Sequence, residues 1–155
     1  MSINENLLGI VFRYRDEFNY YAFILNQKKG YKRLIKVSNG RYRKIAELRD
    51  GGLFLNDWFK VQIIVKTSNI RVRFGLDKNN LKYSDLPIVF NIDDYELREG
   101  TVGLLVNNNN QFYFDKLDVK PISCWTEWSA NNKLDIIPHR ASIYDEDYKG
   151  EIDKK

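Results

Sequence analysis

In the stretch LGIVFRYRDEFNYYAFILN, Leu8 to Asn26, side chains of different character alternate before a charged turn, and an aromatic, apolar run follows it. Side chains at every second position of a strand share a face. The alternation puts Arg13 and Arg15 on the same face as Val11 and opposite Phe12. Aromatic and β-branched residues dominate both halves, and polar residues separate them. This pattern predicts an antiparallel β-hairpin.

The same alternation recurs along the chain as far as residue 120. The dipeptide Asn39-Gly40 lies between two such runs and suits a type I′ hairpin turn, because both residues tolerate positive φ. Strands are predicted at Leu8–Arg15, Asn19–Asn26, Tyr31–Ser38, Arg41–Leu48, Trp58–Lys66, Ile70–Gly75, Pro87–Asn91, Thr101–Asn107 and Gln111–Lys120.

Short strands separated by turns, each with one apolar face, predict two antiparallel sheets packed face to face. The predicted fold is therefore all-β, an antiparallel two-sheet sandwich of the jelly-roll type. A short strand is predicted at 122–128, and apolar positions become sparse beyond it. We expect a β-sandwich domain at 1–128 and a mostly irregular C-terminal extension at 129–155.

Composition agrees with one globular domain. The chain has 155 residues, of which 43% are hydrophobic and 14% aromatic, and this length is enough to bury a core. Cys124 is the one cysteine, which excludes an internal disulfide and a multi-cysteine metal site. The net charge of +4 favours acidic partners modestly. Lys and Arg form no long run, so a solvated surface also explains them.

The N-terminus lacks the basic region and the long apolar region of a signal peptide or a membrane anchor. The sequence therefore predicts no membrane insertion. It leaves two interpretations of the compartment open, an intracellular protein or an excised domain of a secreted or surface protein.

Three ordered groups of segments carry a resemblance to a known class. They are GIVFRYRDEFNYYAF at 9–23, then WFKVQI at 58–63 with IRVRF at 70–74, and last GTVGLLV at 100–106 with FYFDKLDV at 112–119. Together they resemble concanavalin A-like, or laminin G-like, jelly rolls. The nearest likeness is the C-terminal lectin-like domain of thrombospondins, and the bacterial 3-keto-disaccharide hydrolase domain is similar in the same stretches. The resemblance covers residues 8–121.

The resemblance implies a jelly-roll fold and binding to glycans or to matrix proteins. Lectins of this fold often hold calcium through Asp and Asn on adjacent loops, which makes Asn91, Asp93 and Asp94 candidate ligands. The acidic calcium-binding repeats that accompany thrombospondin domains are missing from this sequence. An Asn- and Asp-rich turn is the alternative explanation of these three residues.

Four arginines mark a candidate binding face. Arg13, Arg15, Arg71 and Arg73 fall on the polar side of their predicted strands, and arginine binds sulfate or carboxylate with paired donors. If those strands share a sheet, the guanidinium groups form one patch, with Tyr21 and Tyr42 as stacking platforms. The alternative is that the arginines only keep a sheet face hydrated and discourage edge pairing.

The sequence shows no recognisable catalytic site. Glycoside hydrolysis needs two carboxylates on either side of the sugar bond, and no such pair is recognisable. His139 is the one histidine and lies in the polar C-terminal region, away from any candidate nucleophile. Nucleic-acid binding is not expected, because most aromatic residues alternate onto core-facing positions.

The sequence therefore predicts a non-catalytic binding module without a cofactor, unless calcium is bound. Its expected partner is a carbohydrate, in particular an acidic glycan, or the acidic surface of another protein. Two alternatives stay open. One is a sugar-acting hydrolase related to the keto-disaccharide family, and the other is a structural domain that mediates assembly within a larger protein.

Overall fold

A computed structural model of the chain describes residues 7–51, 56–107 and 113–120. Cys124, His139, the strand predicted at 122–128 and the extension predicted at 129–155 lie outside the described residues. The division into a domain and an extension therefore stays a prediction.

The first eight predicted strands are all present, with ends that differ by at most two residues. The strands are β1 Leu7–Asp16, β2 Asn19–Asn26, β3 Tyr31–Ser38, β4 Arg41–Leu48, β5 Phe59–Lys66, β6 Asn69–Leu76, β7 Ile88–Asp93 and β8 Thr101–Asn107. A short 3-10 turn, Tyr83–Asp85, lies between β6 and β7.

The strands form two antiparallel sheets. One sheet has five strands in the order β4-β3-β2-β1-β8, and the other has three in the order β5-β6-β7. Neighbours in space are mostly neighbours in sequence, and the exception is β8, which returns to pair with β1 so that Leu7 faces Asn107. Below, the inner face of each sheet is the one that packs on the other sheet, and the outer face is the opposite one.

Two tight turns explain the register of the five-stranded sheet. The Asp16 carboxylate accepts hydrogen bonds from the backbone N–H of Phe18 (2.8 Å) and from the Asn19 amide (3.0 Å), which closes the turn between β1 and β2. Asn39 and Gly40 have φ of 49° and 75°, which confirms the predicted left-handed turn between β3 and β4.

The main core lies between the sheets. Phe23 on β2 is fully buried, and its ring packs against Phe74 on β6 (6.0 Å between centroids) and Phe90 on β7 (6.1 Å). Ile63 and Val65 on β5 point into the same core, as the alternation predicts. Burying one such side chain contributes about 1.5–3 kcal/mol. A smaller cluster on the outer face of the five-stranded sheet contains Leu7, Ala22, Ile24, Tyr31 and Ile35.

The predicted ninth strand, Gln111–Lys120, is not formed in its described part. Residues 113–120 have no regular secondary structure, and Tyr113, Phe114 and Leu117 are exposed. Alternating side chains give the local preference for a strand, but a strand also needs a partner edge for its hydrogen bonds. Within the described residues this segment has no such partner.

Candidate functional site

The four candidate arginines lie in two different sheets. Arg13 and Arg15 belong to β1 in the five-stranded sheet, whereas Arg71 and Arg73 belong to β6 in the three-stranded sheet. The condition for a single basic patch, that the two strands share a sheet, is therefore not met.

Arg13 does not lie on an exposed polar face. The pairing of β1 with β2 shifts register between Phe12 and Asp16, and Arg13 has a φ of 48°, so a β-bulge interrupts the alternation here. The side chain is 6% exposed, and its terminal nitrogen donates a hydrogen bond to the carbonyl oxygen of Leu97 (2.8 Å). Arg13 thus ties β1 to the segment before β8. Arg15, beyond the bulge, is exposed.

Arg71 and Arg73 lie where the alternation places them, on the outer face of the three-stranded sheet. Their inner-face neighbours Val72 and Phe74 are buried in the core, and both arginines are half-buried. Arg73 donates hydrogen bonds to the carbonyl oxygens of Ser84 and Leu86, the latter at 3.2 Å. These bonds hold the 3-10 turn segment against the sheet.

The two candidate tyrosines lie on opposite faces of the five-stranded sheet and do not form one platform. Tyr21 is fully buried on the inner face and stacks on Phe12 with ring centroids 5.5 Å apart. Burial and a hydrogen bond donated to Asp94 raise the pKa of its hydroxyl. Tyr42 lies on the outer face opposite Val37 and is 49% exposed.

The candidate calcium ligands are divided between two surroundings. Asn91 and Asp93 lie on the outer face of β7, where the Asn69 amide donates to the side-chain oxygens of both (2.9 and 3.2 Å). Asp94 instead accepts hydrogen bonds from Tyr21 and from Lys36 (2.6 Å) on the inner face of the other sheet. The three side chains therefore do not surround one point.

Asp94 belongs to a largely buried ionic cluster. Lys36 lies on the inner face of β3, where its ammonium group contacts the carboxylates of Asp94 (2.6 Å) and Glu96 (2.5 Å). Glu96 also accepts a hydrogen bond from Ser38. Burial alone would lower the pKa of Lys36, but the hydrogen bonds to both carboxylates outweigh it and raise that pKa. The cluster connects β3 to the segment that follows β7.

Acid should weaken the fold through these carboxylates. Burial tends to raise the pKa of Asp94, but hydrogen bonds from Lys36 and Tyr21 outweigh it, so the pKa is lowered. The pKa of Glu96 is lowered by Lys36 and Ser38. A carboxyl group whose pKa is lower in the folded chain stabilises the fold above the unfolded pKa of about 4, and this stability is lost as pH falls through the folded pKa.

We therefore expect the urea midpoint to be flat between about pH 7 and pH 5 and to fall at lower pH. The Asp94→Asn variant, which lacks the shifted carboxyl group, should show a shallower fall. Urea titrations of both proteins at a series of pH values measure the two slopes. Equal slopes would contradict the assignment to Asp94.

A cleft of about 500 Å³ opens between the sheets at the end where β3 begins and β4 ends. Its walls are mostly apolar side chains of the two sheets, among them Leu48, Phe59 and Ile88. Lys32 and Asp50 are the charged side chains among the described lining residues.

The charged pair and an aromatic pair meet in this cleft. The Lys32 ammonium contacts the Asp50 carboxylate (2.6 Å) and lies 4.9 Å from the centre of the Phe74 ring. Phe74 stacks on Phe59 with centroids 5.1 Å apart and ring planes 15° apart. Lys32 is 4% exposed, whereas the Asp50 side chain is 40% exposed. An ion pair beside apolar aromatic side chains can hold a ligand that has both polar and apolar faces.

Local sequence explains how Asp50 reaches Lys32. Gly51 has a φ of 92°, which glycine adopts at little cost, and its N–H donates to the carbonyl oxygen of Gly30 (3.2 Å). This contact fixes the chain after β4 against the turn between β2 and β3. Asp50 is thereby held beside Lys32, the second residue of β3.

Sequence reasoning missed this cleft, although one signal for it was present. In YKRLIKVS, Lys32 and Lys36 are each two residues from Leu34, so all three share a face of the strand. Leu34 is fully buried, and both lysines therefore point inward. Two inward lysines require carboxylate partners, and these come from distant loops that alternation does not reveal.

Across 7–51, 56–107 and 113–120, no three His, Cys, Asp or Glu side chains form a group that could hold a metal ion. In the same part of the chain, no helix has the length and apolar character needed to cross a membrane.

No protein-family model and no curated protein matches this sequence. Among solved structures, the chain is similar to one described as the carbohydrate binding module CBM66 from Bacillus subtilis, with a TM-score of 0.54 and 19% sequence identity. The similarity covers 66% of this chain and 58% of that chain, so it spans less than two thirds of the solved module. At this identity the likeness concerns the fold, and it agrees with the predicted all-β, two-sheet sandwich of the jelly-roll class.

Proposed function

We propose that this chain is a non-catalytic carbohydrate-binding module that holds its sugar in the cleft between the sheets. The observation that carries the proposal is the Lys32–Asp50 pair beside the Phe59–Phe74 wall. A sugar ring has an apolar C–H face and a rim of hydroxyl groups that both donate and accept hydrogen bonds. The half-buried Phe59 ring, which stacks on Phe74, suits the C–H face, the Asp50 carboxylate accepts from hydroxyl groups, and the Lys32 ammonium donates to them.

The dimensions of the cleft support the same ligand class. Clefts that bind small molecules are typically about 300–1,000 Å³, are mostly apolar and contain a few polar groups that fix orientation. The cleft of about 500 Å³ lies in this range and suits a mono- or disaccharide unit. The similar solved structure is itself described as a carbohydrate binding module.

The hydrolase alternative needs a second carboxylate. In the two-carboxylate mechanism the groups are about 5–9.5 Å apart, on either side of the bond that is cleaved. Asp50 is the one carboxylate among the described residues that line the cleft, and its partner is an ammonium group. This arrangement supports binding over hydrolysis.

Binding should depend on the Asp50 charge. We expect Asp50→Asn to lower the affinity for the glycan by about tenfold or more, because a hydrogen bond to a charged group contributes about 1.5–3 kcal/mol. A glycan array with the whole chain selects the probe, and isothermal titration calorimetry with that glycan measures the change. The matched control is Asp118→Asn, which removes an exposed carboxylate paired with Lys120 (3.2 Å) outside the cleft and should bind as the parent does.

Asp50→Asn also leaves Lys32 without its anion and so weakens the fold, which makes a second variant necessary. Phe59→Leu keeps the ion pair and most of the apolar volume but removes the ring, and it should also weaken binding. Circular dichroism checks that each variant is folded. Parent-like affinity in both variants would contradict the cleft assignment. Shortening of the bound glycan would favour the hydrolase, and the absence of any glycan ligand would favour the assembly role.

A further inference from the structure

Three buried side-chain polar atoms in the described part of the chain lack a hydrogen-bond partner, and all three belong to one face. They are Oε1 of Gln62, Nε of Arg71 and Nε of Arg73. Buried polar atoms are nearly always paired, because an unpaired one costs about 1–3 kcal/mol. Three such atoms on neighbouring positions make this face a candidate binding surface.

The register of β5 and β6 brings these side chains together. Gln62 lies directly opposite Arg73, and Ile64 lies opposite Arg71. Directly opposed residues have Cβ atoms about 4.5–5.5 Å apart, and diagonal neighbours about 7–8 Å. Gln62 is 7% exposed, although it points away from the core that holds Ile63. We call these three side chains the outer basic site.

The charge of the outer basic site is not balanced within the described residues. Arg73 donates to two backbone carbonyl oxygens, which are neutral. Neither Arg71 nor Arg73 forms an ion pair with a described carboxylate, and the nearby Asp93 accepts from Asn69 instead. Two half-buried guanidinium groups on one strand face repel each other, and a bound anion would relieve that repulsion.

We propose that the outer basic site binds a uronate residue of an acidic glycan. The carboxylate of the uronate accepts hydrogen bonds from Arg71 and Arg73, and an adjacent sugar hydroxyl donates to Gln62 Oε1. A free sulfate ion supplies acceptors alone and leaves the Gln62 oxygen unpaired, whereas a uronate residue supplies the carboxylate acceptor together with hydroxyl donors on the same ring. The three unpaired atoms are buried, so this binding requires the two arginine side chains to move apart as the ligand enters.

This proposal rests on the proposed function for the class of its ligand, but it uses a different surface. The cleft lies between the sheets and is lined by Lys32 and Asp50, whereas the outer basic site lies on the opposite face of β5 and β6. A module with both surfaces binds a neutral sugar unit in one and an acidic unit in the other. The two sites can therefore fail separately in experiment.

The test uses oligogalacturonate and its methyl ester, which differ in charge but share the sugar. We expect the whole chain to bind oligogalacturonate at least about tenfold more tightly than the ester. Arg71→Met should remove that preference and leave binding of the neutral glycan from the array unchanged. Because Arg71 has no described partner to lose, the variant should be as stable as the parent or more so. The control is Arg98→Met, which makes the same charge change at an exposed arginine and should keep the preference.

Three results would overturn the proposal. The first is equal binding of the acid and its ester by the parent chain. The second is an equal loss of affinity in Arg71→Met and Arg98→Met, which would indicate general charge attraction. The third is polyglutamate binding that matches oligogalacturonate and also requires Arg71, which would assign the site to an acidic protein and would exclude the glycan. The outer basic site is supported separately from the cleft if Asp50→Asn loses binding of the neutral glycan but keeps the preference for oligogalacturonate over its ester.

Discussion

Replacement of Gly100 by alanine is expected to lower the free energy of unfolding by about 3–5 kcal/mol. Gly100 has a φ of 151°, which side-chain-bearing residues rarely adopt. A Cβ atom there would lie 2.3 Å from the carbonyl carbon of Arg13 and 2.5 Å from the nitrogen of Tyr14. Both are backbone atoms of the β1 bulge, so rotation of a side chain cannot relieve the overlap. Urea denaturation followed by tryptophan fluorescence measures the loss.

Gly51→Ala is the matched control for this variant. Gly51 also has a positive φ, 92°, but a Cβ there meets nothing within 4 Å. The control therefore contains the backbone penalty without the steric overlap, and it should cost about 1–2 kcal/mol. If the two variants lose equal stability, the close approach of Gly100 to β1 is not what determines the effect.

Replacement of Lys36 by methionine should cost about 3 kcal/mol of unfolding free energy. Removing one partner of a buried ion pair costs about 3–5 kcal/mol, because the remaining charge stays buried and unpaired. The Lys36 and Asp94 side chains are 7% and 15% exposed. Glu96, at 46%, lets water approach the cluster, which places the expected loss near the lower end of the range. Urea denaturation at pH 7 measures this loss as well.

Lys44→Met serves as the control for Lys36→Met. Lys44 also pairs with a glutamate, Glu47, at 3.3 Å, but its side chain is 46% exposed. Exposed pairs of this kind contribute about 0–1 kcal/mol. A loss in Lys36→Met no larger than the loss in Lys44→Met would show that the cluster is solvated and contributes little to stability.

The strands were predictable because their signals are local. Alternation over Leu8–Arg15 and the aromatic, β-branched content of Asn19–Asn26 identified the first hairpin, and the Asn39-Gly40 dipeptide identified the next turn. The division into two sheets also followed, since one-sided apolar strands must bury that side against another layer.

What could not be predicted depends on contacts between distant residues. The bulge at Arg13 lies where Gly100 approaches the β1 backbone, and no pattern near Arg13 encodes that approach. Strand order is equally non-local, so the sequence did not show that Arg15 and Arg71 lie in different sheets. For the same reason the inward lysine Lys32 was not linked to its partner Asp50.

The pairing of β1 with β8 has a consequence for the nascent chain. Strands β2 to β4 can add to β1 one after another as they leave the ribosome. The second edge of β1 stays unpaired until residues 101–107 have been synthesised. Until then its backbone N–H and C=O groups form an open edge that can recruit strands from other molecules. Slow translation through the three-stranded sheet would prolong that interval, and chains that stop before Thr101 would aggregate rather than fold.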